Sequence, residues 1–435
     1  MRFSVIIPTR NRAAYLQHCI QSCLTQEESA DEILVCDNSS PEQAAHTQRV
    51  VNDFSSFNVR YLPPDARPLN MTDNWNRAIQ AAVGDYVTVL GDDDGLTPAC
   101  IRIAKTCARR FDCDAFRWGW AFYHWPCFKY RNLAGRGFTP LPGNSDTAVV
   151  QRMRSMHVLR RVVNGAAPYV SLPMLYNSFV HRRVLDRIAA DGQPLLDAQC
   201  PDIYSGVAIA AMSREVLTTD FPLAIAGQSS ASNGAAHENK DRCSDVANDF
   251  LQLNESQRIG HLQGTVAVGK LSLAVTDAYV RFKSRFPDQM RTIRQSRRRL
   301  AQWQASDLGE LDRDAGPAER DDAAYRLLLA HYRSVPFSTP AIRRGYAAGR
   351  ARVRDYPSNG IHSEQLFFDA STFHASNVSE VARSLGAIVG SPPHVVPGWG
   401  LKPRLKRLLT RWAPPAVKDF AFDVGRRLRM DPGNT

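Results

Sequence analysis

The sequence has no apolar run long enough to cross a membrane. Its longest apolar stretches, such as residues 207–212, are much shorter than the roughly 20 residues that a membrane-spanning helix needs. The apolar run at residues 3–7 is too short for a secretory signal and instead predicts a first strand. We therefore expect a cytoplasmic protein.

The cysteines form no recognisable disulfide framework. There are nine of them, and an odd number in a chain without a secretory signal indicates free thiols. Cys19 and Cys23 lie four residues apart, as on one face of a helix, but no second cysteine pair accompanies them. A position in the core is therefore favoured over a zinc site.

Glycine is missing from residues 8–12, the loop that follows the predicted first strand. Dinucleotide-binding dehydrogenases need glycine there, because the backbone must approach the pyrophosphate closely. Enzymes that form sugar nucleotides by nucleotidyl transfer commonly have a glycine-rich loop at the same place. The absence of glycine disfavours both classes of enzyme. A nucleotidyltransferase that forms sugar nucleotides nevertheless stays an alternative function for this chain.

The chain is long enough for a large core and is basic overall. It has 435 residues, of which 44% are hydrophobic, so length suggests two or three domains. Residues 401–435 contain nine Lys or Arg and three Asp, a net charge of +6 out of +11 for the whole chain. The pI of about 9.3 and the arginines at 291–299 allow a non-enzymatic alternative, a basic nucleic-acid-binding protein.

Strand and helix patterns alternate through the first hundred residues. Apolar runs at 3–7, 32–36, 59–62 and 86–90 predict strands, and segments with helical spacing separate them. This order is typical of a mostly parallel sheet with helices on both faces, where ligands bind beyond the carboxyl ends of the strands. We expect the polar loops after the first, second and fourth strands to meet in one crevice.

Three consecutive aspartates, residues 92–94, follow the fourth predicted strand. A Gly-Asp-Asp-Asp-Gly segment by itself is typical of a turn. At the end of a buried strand, however, three carboxylates repel each other unless a cation lies among them. Their position at the expected crevice favours a divalent metal site.

Four segments together resemble the family 2 glycosyltransferases with the GT-A fold. They are residues 4–12, 34–39, 74–86 and 90–94, in the order and spacing of that family. The resemblance implies an α/β fold of the GT-A type, with a mostly parallel sheet flanked by helices and a smaller helical C-terminal domain. It also implies a metal-dependent, inverting transfer of sugar from a nucleotide diphosphate sugar, in bacterial cell-surface polysaccharide biosynthesis. The expected partners are a UDP-sugar donor and a glycan or lipid-linked acceptor, with no nucleic acid.

The resemblance also implies roles for individual residues. Pro8 and Thr9 would line the pocket for the base and ribose. Asp37 would accept a hydrogen bond from the base, and Asp92 would contact the ribose. The complete expected nucleotide-binding set is Pro8, Thr9, Arg10, Asp37, Asn76 and Asp92.

The expected cofactor is Mg²⁺ or Mn²⁺. Aligning the family motif on Pro98 makes Asp93 the metal ligand, whereas Asp-x-Asp spacing selects Asp94. We favour Asp93, with Asp94 as a second ligand or a supporting group. His237, after a loop of small residues, would complete the site, although a surface histidine without a ligand role is an equal alternative.

One motif departs from the family. Many relatives have Ala-Arg-Asn where this chain has Asn74, Trp75 and Asn76, so an arginine that often approaches the nucleotide is missing. Arg77 and Arg10 are the candidate replacements, and nucleotide preference stays open.

An inverting transfer needs a general base to take the proton of the acceptor hydroxyl. Asp202, which precedes the apolar run 207–212, occupies the position of the family's base. The alternative is a helix N-cap, a position at which aspartate is common. Asp197 is the reserve candidate.

The predicted strand at 114–122 places Phe116, Trp118, Trp120 and Phe122 on one face by its two-residue period. Core packing is favoured over a stacking platform for the acceptor.

The chain divides by pattern into three segments. Residues 1–235 would form the nucleotide-sugar-binding catalytic domain, 236–355 a helical domain, and 356–435 a basic C-terminal extension. Basic residues alternate with Leu and Trp in 401–412, as in helices that lie on anionic membranes. Peripheral contact with the inner membrane face and simple packing on the core both remain open for this segment.

Overall fold

The carboxyl-terminal ends of three N-terminal strands form the edge on which the site is built. The computed structural model describes residues 1–128, 132–142, 147–232, 244–256, 271–315, 322–352 and 356–398. The strands are β1 (Phe3–Thr9), β2 (Glu32–Asp37), β3 (Val59–Leu62), β4 (Tyr86–Val89), β5 (Gly95–Leu96), β6 (Ala115–His124), β7 (Arg136–Pro140), β8 (Thr147–Met153), β9 (Ser178–His181), β10 (Val216–Gln228), β11 (Gly360–His362), β12 (Gln365–Asp369) and β13 (His394–Pro397).

The described residues also form thirteen α-helices. They are α1 (Ala13–Leu24), α2 (Pro41–Asn52), α3 (Met71–Ala81), α4 (Cys100–Phe111), α5 (Ser155–Val162), α6 (Arg182–Ile188), α7 (Pro201–Met212), α8 (Ser244–Ser256), α9 (Leu271–Arg285), α10 (Arg297–Ala315), α11 (Asp322–His331), α12 (Ser338–Ala351) and α13 (Val378–Val389). Residues Met1–Val396 belong to one compact unit.

The first four strands are parallel; β1, β2 and β4 are buried on both faces, whereas β3 is partly exposed. β1 pairs with β2 and β4, and β2 pairs with β3, all in parallel. Val5 and Ile7 pack in the cluster that includes α1 and α4, whereas Ile6 packs on the opposite side, with α3. This explains the unbroken apolar run of β1, since successive side chains must fill opposite cores. The predicted α/β sheet with helices on both faces is confirmed.

Beyond β4 the sheet is mixed. β9 joins β4 to β6 in antiparallel fashion, and β6 pairs in parallel with β10. The parallel character that the sequence predicts therefore holds for the N-terminal strands and the β6–β10 pair, whereas β5 and β8 pair with β10, β7 pairs with β6 and β12, and β11 pairs with β12 in antiparallel fashion.

The four aromatic side chains expected on one face of β6 do not all lie on the same side of the sheet. Phe116 and Trp118 are each 1% exposed and lie in the core, as predicted. The register between β6 and β10 shifts between Thr218 and Ala224. Past this shift the side chains that pack toward α13 are those of Ala121 and Tyr123, rather than Trp120 and Phe122.

The helical region predicted after residue 235 is present as α8 to α12. After it the chain returns to the sheet: β12 pairs with β7, and α13 packs against α1. These elements fall within the segment that the sequence analysis assigned to the C-terminal extension. The domain boundaries at 235 and 355 stay predictions.

Among the described helices, none combines the length and the apolar character that crossing a membrane requires.

Candidate functional site

The loops after β1, β2 and β4 meet at one edge of the sheet, as the alternating pattern predicts. Thr9 lies opposite Asp37 in the β1–β2 pairing. The Thr9 hydroxyl donates a hydrogen bond of 2.7 Å to Asp92, which follows β4. Pro8 lies beside Cys36 in the same pairing and completes the end of β1.

Asp92 is held by two donors from the β1 side. Its side chain is 2% exposed; one oxygen accepts from Thr9, and the other forms an ion pair with Arg12 Nη1 at 3.1 Å. Burial raises the pKa of Asp92, the charge of Arg12 opposes this, and Asp93 adds to the rise. Arg12 also donates to the Ala231 carbonyl, so it links the β1 loop to the loop after β10.

Asp93 faces the loop that follows β10. Its Oδ2 accepts hydrogen bonds from the Ser229 hydroxyl at 2.7 Å and from the Ser232 hydroxyl. The indole of Trp125 donates to the Asp93 carbonyl at 2.9 Å. Within the described parts of the chain, no donor approaches the second carboxylate oxygen of Asp93. Asp93, which is 5% exposed, thus has one carboxylate oxygen without a donor from the described residues.

Asp94 ties three parts of the chain together. Its Oδ1 accepts from the Gly227 amide at 2.6 Å, and its Oδ2 accepts from the Gly91 amide at 3.1 Å and from the Tyr176 hydroxyl. Burial and then the neighbouring charge of Asp93 raise the pKa of this carboxyl well above its usual range. Both oxygens of Asp94 are thus engaged by the protein.

Gly227 is required where β10 passes the acidic turn. A Cβ at this position would lie 1.8 Å from the Asp93 carbonyl oxygen. Only glycine allows the two backbones to approach this closely.

The donor set fits a metal that the substrate largely coordinates. The residues that the structure describes include no group of three or more His, Cys, Asp or Glu able to hold an ion. Mg²⁺ typically takes one or two protein carboxylates and completes its shell with phosphate oxygens and water. Asp93 can supply one such ligand through its second oxygen. The expected ligand His237 lies outside the described residues.

Asp202 occupies the first turn of α7 and is not the helix N-cap. Cys200 holds the cap position, so the capping alternative for Asp202 is wrong. Burial raises the pKa of Asp202, and the backbone amide of Ile203 partly opposes this. The pKa of the Tyr176 phenol is raised well above its usual range, first by burial and then by the charges of Asp94 and Asp93. The charge of Asp202 adds to this rise, so Asp202 lies near Tyr176. The reserve candidate Asp197 is half exposed and forms an ion pair with Arg281 at 3.3 Å.

Asp37 is fully buried at the end of β2. It accepts hydrogen bonds from the Tyr61 hydroxyl at 2.8 Å and from the Ser39 amide at 2.9 Å. Arg77, a candidate replacement for the missing family arginine, donates to the carbonyls of Asp37 and of Pro63, the latter at 2.7 Å. In this structure Arg77 therefore braces the end of β2.

Arg10 and Asn76 also have protein partners. Arg10 forms two hydrogen bonds with Asp249 of α8, at 2.9 and 3.0 Å. The Asn76 side-chain amide exchanges two hydrogen bonds with the backbone of Leu196, at 3.0 and 2.9 Å. The structure thus brings Thr9, Arg10, Asp37 and the aspartates to one edge, and it places the Asn76 amide against the loop before α7.

Several site residues have no sequence signal of their own. Tyr176 lies in a short 3₁₀ turn, Leu175–Asn177, and reaches Asp94 from about eighty positions away. Ser229 and Ser232 belong to a loop that the sequence marks as small and polar, but nothing in it indicates contact with Asp93. Arg12 lies within the first family-like segment, where no role was assigned to it.

Comparison with known proteins finds a family match for the part of the chain that forms this edge. Residues 4–133 match the family model described as glycosyl transferase family 2. The match extends from β1 past β6 and includes the three aspartates.

Curated relatives share the same N-terminal region. A GalNAc(5)-diNAcBac-PP-undecaprenol beta-1,3-glucosyltransferase of Campylobacter jejuni is 33% identical over 96 residues, which are 22% of this chain and 30% of that protein. A PGL/p-HBAD biosynthesis glycosyltransferase of Mycobacterium bovis is 30% identical over 134 residues, 28% of this chain and 51% of that protein. The chain thus spans about half or less of the length of these relatives.

Two solved structures are similar at lower identity. TarS 1–349 of S. aureus in complex with UDP-GlcNAc aligns with a TM-score of 0.42 and 14% identity, over 80% of this chain and 90% of that one. The mannosyltransferase PcManGT from Pyrobaculum calidifontis, in complex with GDP-Man and Mn²⁺, aligns with a TM-score of 0.38 and 16% identity, over 80% and 87%. Residues 4–133, which contain the whole acidic turn, are therefore a glycosyl transferase family 2 region of this chain.

Proposed function

We propose that this protein is a metal-dependent, inverting glycosyltransferase of bacterial cell-surface polysaccharide biosynthesis. It would transfer a sugar from a nucleotide diphosphate sugar, with a UDP-sugar as the first candidate, to a glycan or lipid-linked acceptor. The observation that carries the proposal is the acidic turn at Asp92, Asp93 and Asp94, beside Thr9 and Asp37 at the carboxyl edge of the sheet. The Campylobacter relative, whose name specifies an undecaprenol-linked glycan, supports the acceptor class.

The donor would lie along the ends of β1, β2 and β4. Asp37 would face the base and Asp92 the ribose, while Thr9 and Arg12 keep Asp92 in place. The metal, when bound, acts as a Lewis acid that stabilises the charge of the departing nucleotide diphosphate. Asp93 would hold it through the carboxylate oxygen that has no donor among the described residues.

Asp94 would then be a supporting residue rather than a ligand. The Gly91 and Gly227 amides and the Tyr176 hydroxyl already use both of its oxygens. Its function would be to hold the turn at the angle that presents Asp93.

Asp202 would act as the general base. In the transfer, the acceptor hydroxyl gives its proton to the Asp202 carboxylate, and its oxygen forms a bond to the anomeric carbon. The bond from that carbon to the phosphate oxygen breaks, and the nucleotide diphosphate leaves with the electron pair. The raised pKa of Asp202 makes its carboxylate a stronger base than an exposed aspartate.

Thermal melting with UDP tests the donor site. We expect Tm to rise when UDP and Mn²⁺ are added together, because ligands that bind only the folded state stabilise it, by about 2.7 kcal/mol at one hundred times Kd. Asp93→Asn should remove the metal-dependent part of the shift and leave the fold intact, since asparagine can still accept from Ser229.

A duplex oligonucleotide in the same assay separates the rival classes. An equal shift with the oligonucleotide, or no shift with UDP and Mn²⁺, would contradict the proposal. A panel of nucleotide sugars, assayed for metal-dependent hydrolysis, then identifies the donor.

A further inference from the structure

Helices α10 and α12 pack closely and run in the same direction. A Cβ on Gly345 would lie 2.0 Å from the Gln302 carbonyl oxygen, and one on Gly349 would lie 2.1 Å from that of Ser306. Both contacts join residues 43 positions apart, so the two helices advance in parallel. The first turn of α12 therefore lies beside the first turn of α10.

An aromatic ring projects from this end of the helix pair. Phe337, which precedes α12, is 73% exposed, and its φ of +58° lies in the left-handed region. The Ser338 hydroxyl next to it bonds to the Tyr332 carbonyl at 2.7 Å and anchors the loop. The loop is thus fixed while the ring remains in solvent.

Arginines lie at the same end of the helix pair as this ring. Arg297, Arg298 and Arg299 open α10, Arg333 follows α11, and all four are exposed. Burial lowers the pKa of His331, the last residue of α11, and the positive charge of Arg297 lowers it further. Arg297 therefore lies near the end of α11. We call Phe337 and these four arginines the basic tip.

The four arginines of the basic tip carry a formal charge of +4. No acidic side chain of the described chain forms an ion pair with any of its four arginines. The acidic residues of α10 begin at Asp307, about 15 Å further along the helix axis at 1.5 Å per residue. Asp307 is itself engaged by the Ser272 hydroxyl at 2.6 Å.

We propose that the basic tip docks on an anionic lipid surface. Phe337 would enter the boundary between headgroups and acyl chains, and the arginines would bind lipid phosphates. The exposed ring favours a membrane over a nucleic-acid duplex, because the bases of a duplex are already stacked on each other, whereas a lipid interface takes up an apolar ring at the apex. The inference does not depend on the proposed enzymatic activity, since it requires no nucleotide, metal or acceptor.

Cosedimentation of the full-length chain with lipid vesicles tests the proposal. Vesicles of phosphatidylcholine with phosphatidylglycerol should bind the protein more tightly than phosphatidylcholine alone. Arg297→Glu with Arg298→Glu should lower the partition coefficient at least about 25-fold, because each arginine near an anionic surface contributes roughly a factor of five. Phe337→Asn, which keeps a residue tolerant of positive φ, should lower it several-fold.

The matched control is Arg49→Glu with Arg383→Glu. These arginines are exposed on α2 and α13, and the double substitution changes the net charge by the same amount. It should retain binding within about twofold of the unmodified protein, because salt largely screens surface charges that lie more than a Debye length from the membrane. Unchanged Tm values would show that all variants are folded.

Three results would overturn the proposal. One is an equal loss of binding in the tip and control variants, which would assign the effect to net charge, including that of residues 401–435. Another is full vesicle binding by Phe337→Asn. The third is a duplex oligonucleotide that binds through the basic tip while vesicle binding is unaffected by the tip substitutions.

Discussion

The three adjacent aspartates differ in their hydrogen bonds and ion pairs, because different residues surround each carboxylate. Asp92 pairs with Arg12, Asp94 accepts from two backbone amides and a phenol, and Asp93 keeps one oxygen without a donor from the described residues. A buried carboxylate is stable only when such partners compensate for lost water. Under the proposed function, the residue that lacks full compensation is the one that would bind the metal.

Replacing Asp202 tests the general base. Asp202→Asn should abolish sugar transfer while the Tm shift with UDP and Mn²⁺ persists, because the substitution removes the proton acceptor and leaves the acidic turn unchanged. In the unmodified protein, transfer should fall as pH drops through the raised pKa of Asp202, since protonation removes the base. Both are measured by sugar transfer as a function of pH. Retained turnover in the variant would assign the base elsewhere.

At the scale of elements, β10 completes the site from the far side of the sheet. It is the longest strand described, with 13 residues, and its end brings Gly227 and then Ser229 to the acidic turn. The register shift against β6 lets this long strand follow its neighbour while presenting its end to Asp93. The site therefore depends on the backbone path of β10 as much as on its side chains.

Gly227→Ala should disrupt this approach. The added Cβ would collide with the Asp93 carbonyl, so we expect a loss of about 1–3 kcal/mol in the free energy of unfolding and loss of the Mn²⁺-dependent UDP shift. Urea denaturation and thermal melting measure the two effects.

Gly345→Ala is the matched control for that substitution. Its Cβ would meet the Gln302 carbonyl at 2.0 Å, in the helical region. It should destabilise comparably and yet keep the UDP shift. If both variants keep the shift, β10 does not position Asp93.

At the scale of the whole molecule, residues distant in sequence build one sheet. α13 packs its buried face on β6, β10 and α1, with Val378, Val381 and Leu385 in the same cluster as Tyr123 and Trp125. Trp125 in turn holds the Asp93 backbone through its indole. The last described helix is therefore part of the structure that supports the acidic turn.

Leu385→Ala should destabilise the sheet that carries the acidic turn rather than α13 alone. Removing this fully buried side chain should cost about 2–5 kcal/mol, and tryptophan fluorescence should report one cooperative transition in urea. Ile388→Ala on the same helix, at a side chain that is 40% exposed, should cost less than about 1 kcal/mol. A separate early transition in Leu385→Ala would show that α13 unfolds independently.

Much of the first hundred residues could be predicted, because their signals are local. The apolar run of β1 needs burial on both faces, the glycine-free loop disfavours a dinucleotide-binding fold, and aspartates after β4 must emerge at the carboxyl edge. Each of these signals lies within a short stretch of sequence, so the order of residue types is sufficient to infer them.

The rest depended on contacts between distant segments. Tyr176 on Asp94, Ser229 on Asp93 and Arg12 on Ala231 join loops whose separation no periodicity reports. The sequence by itself determined the α/β class, the family of residues 4–133 and the identity of the acidic turn. Only the tertiary structure decided which aspartate retains an open oxygen, because that depends on which donors folding brings within hydrogen-bond distance of each carboxylate.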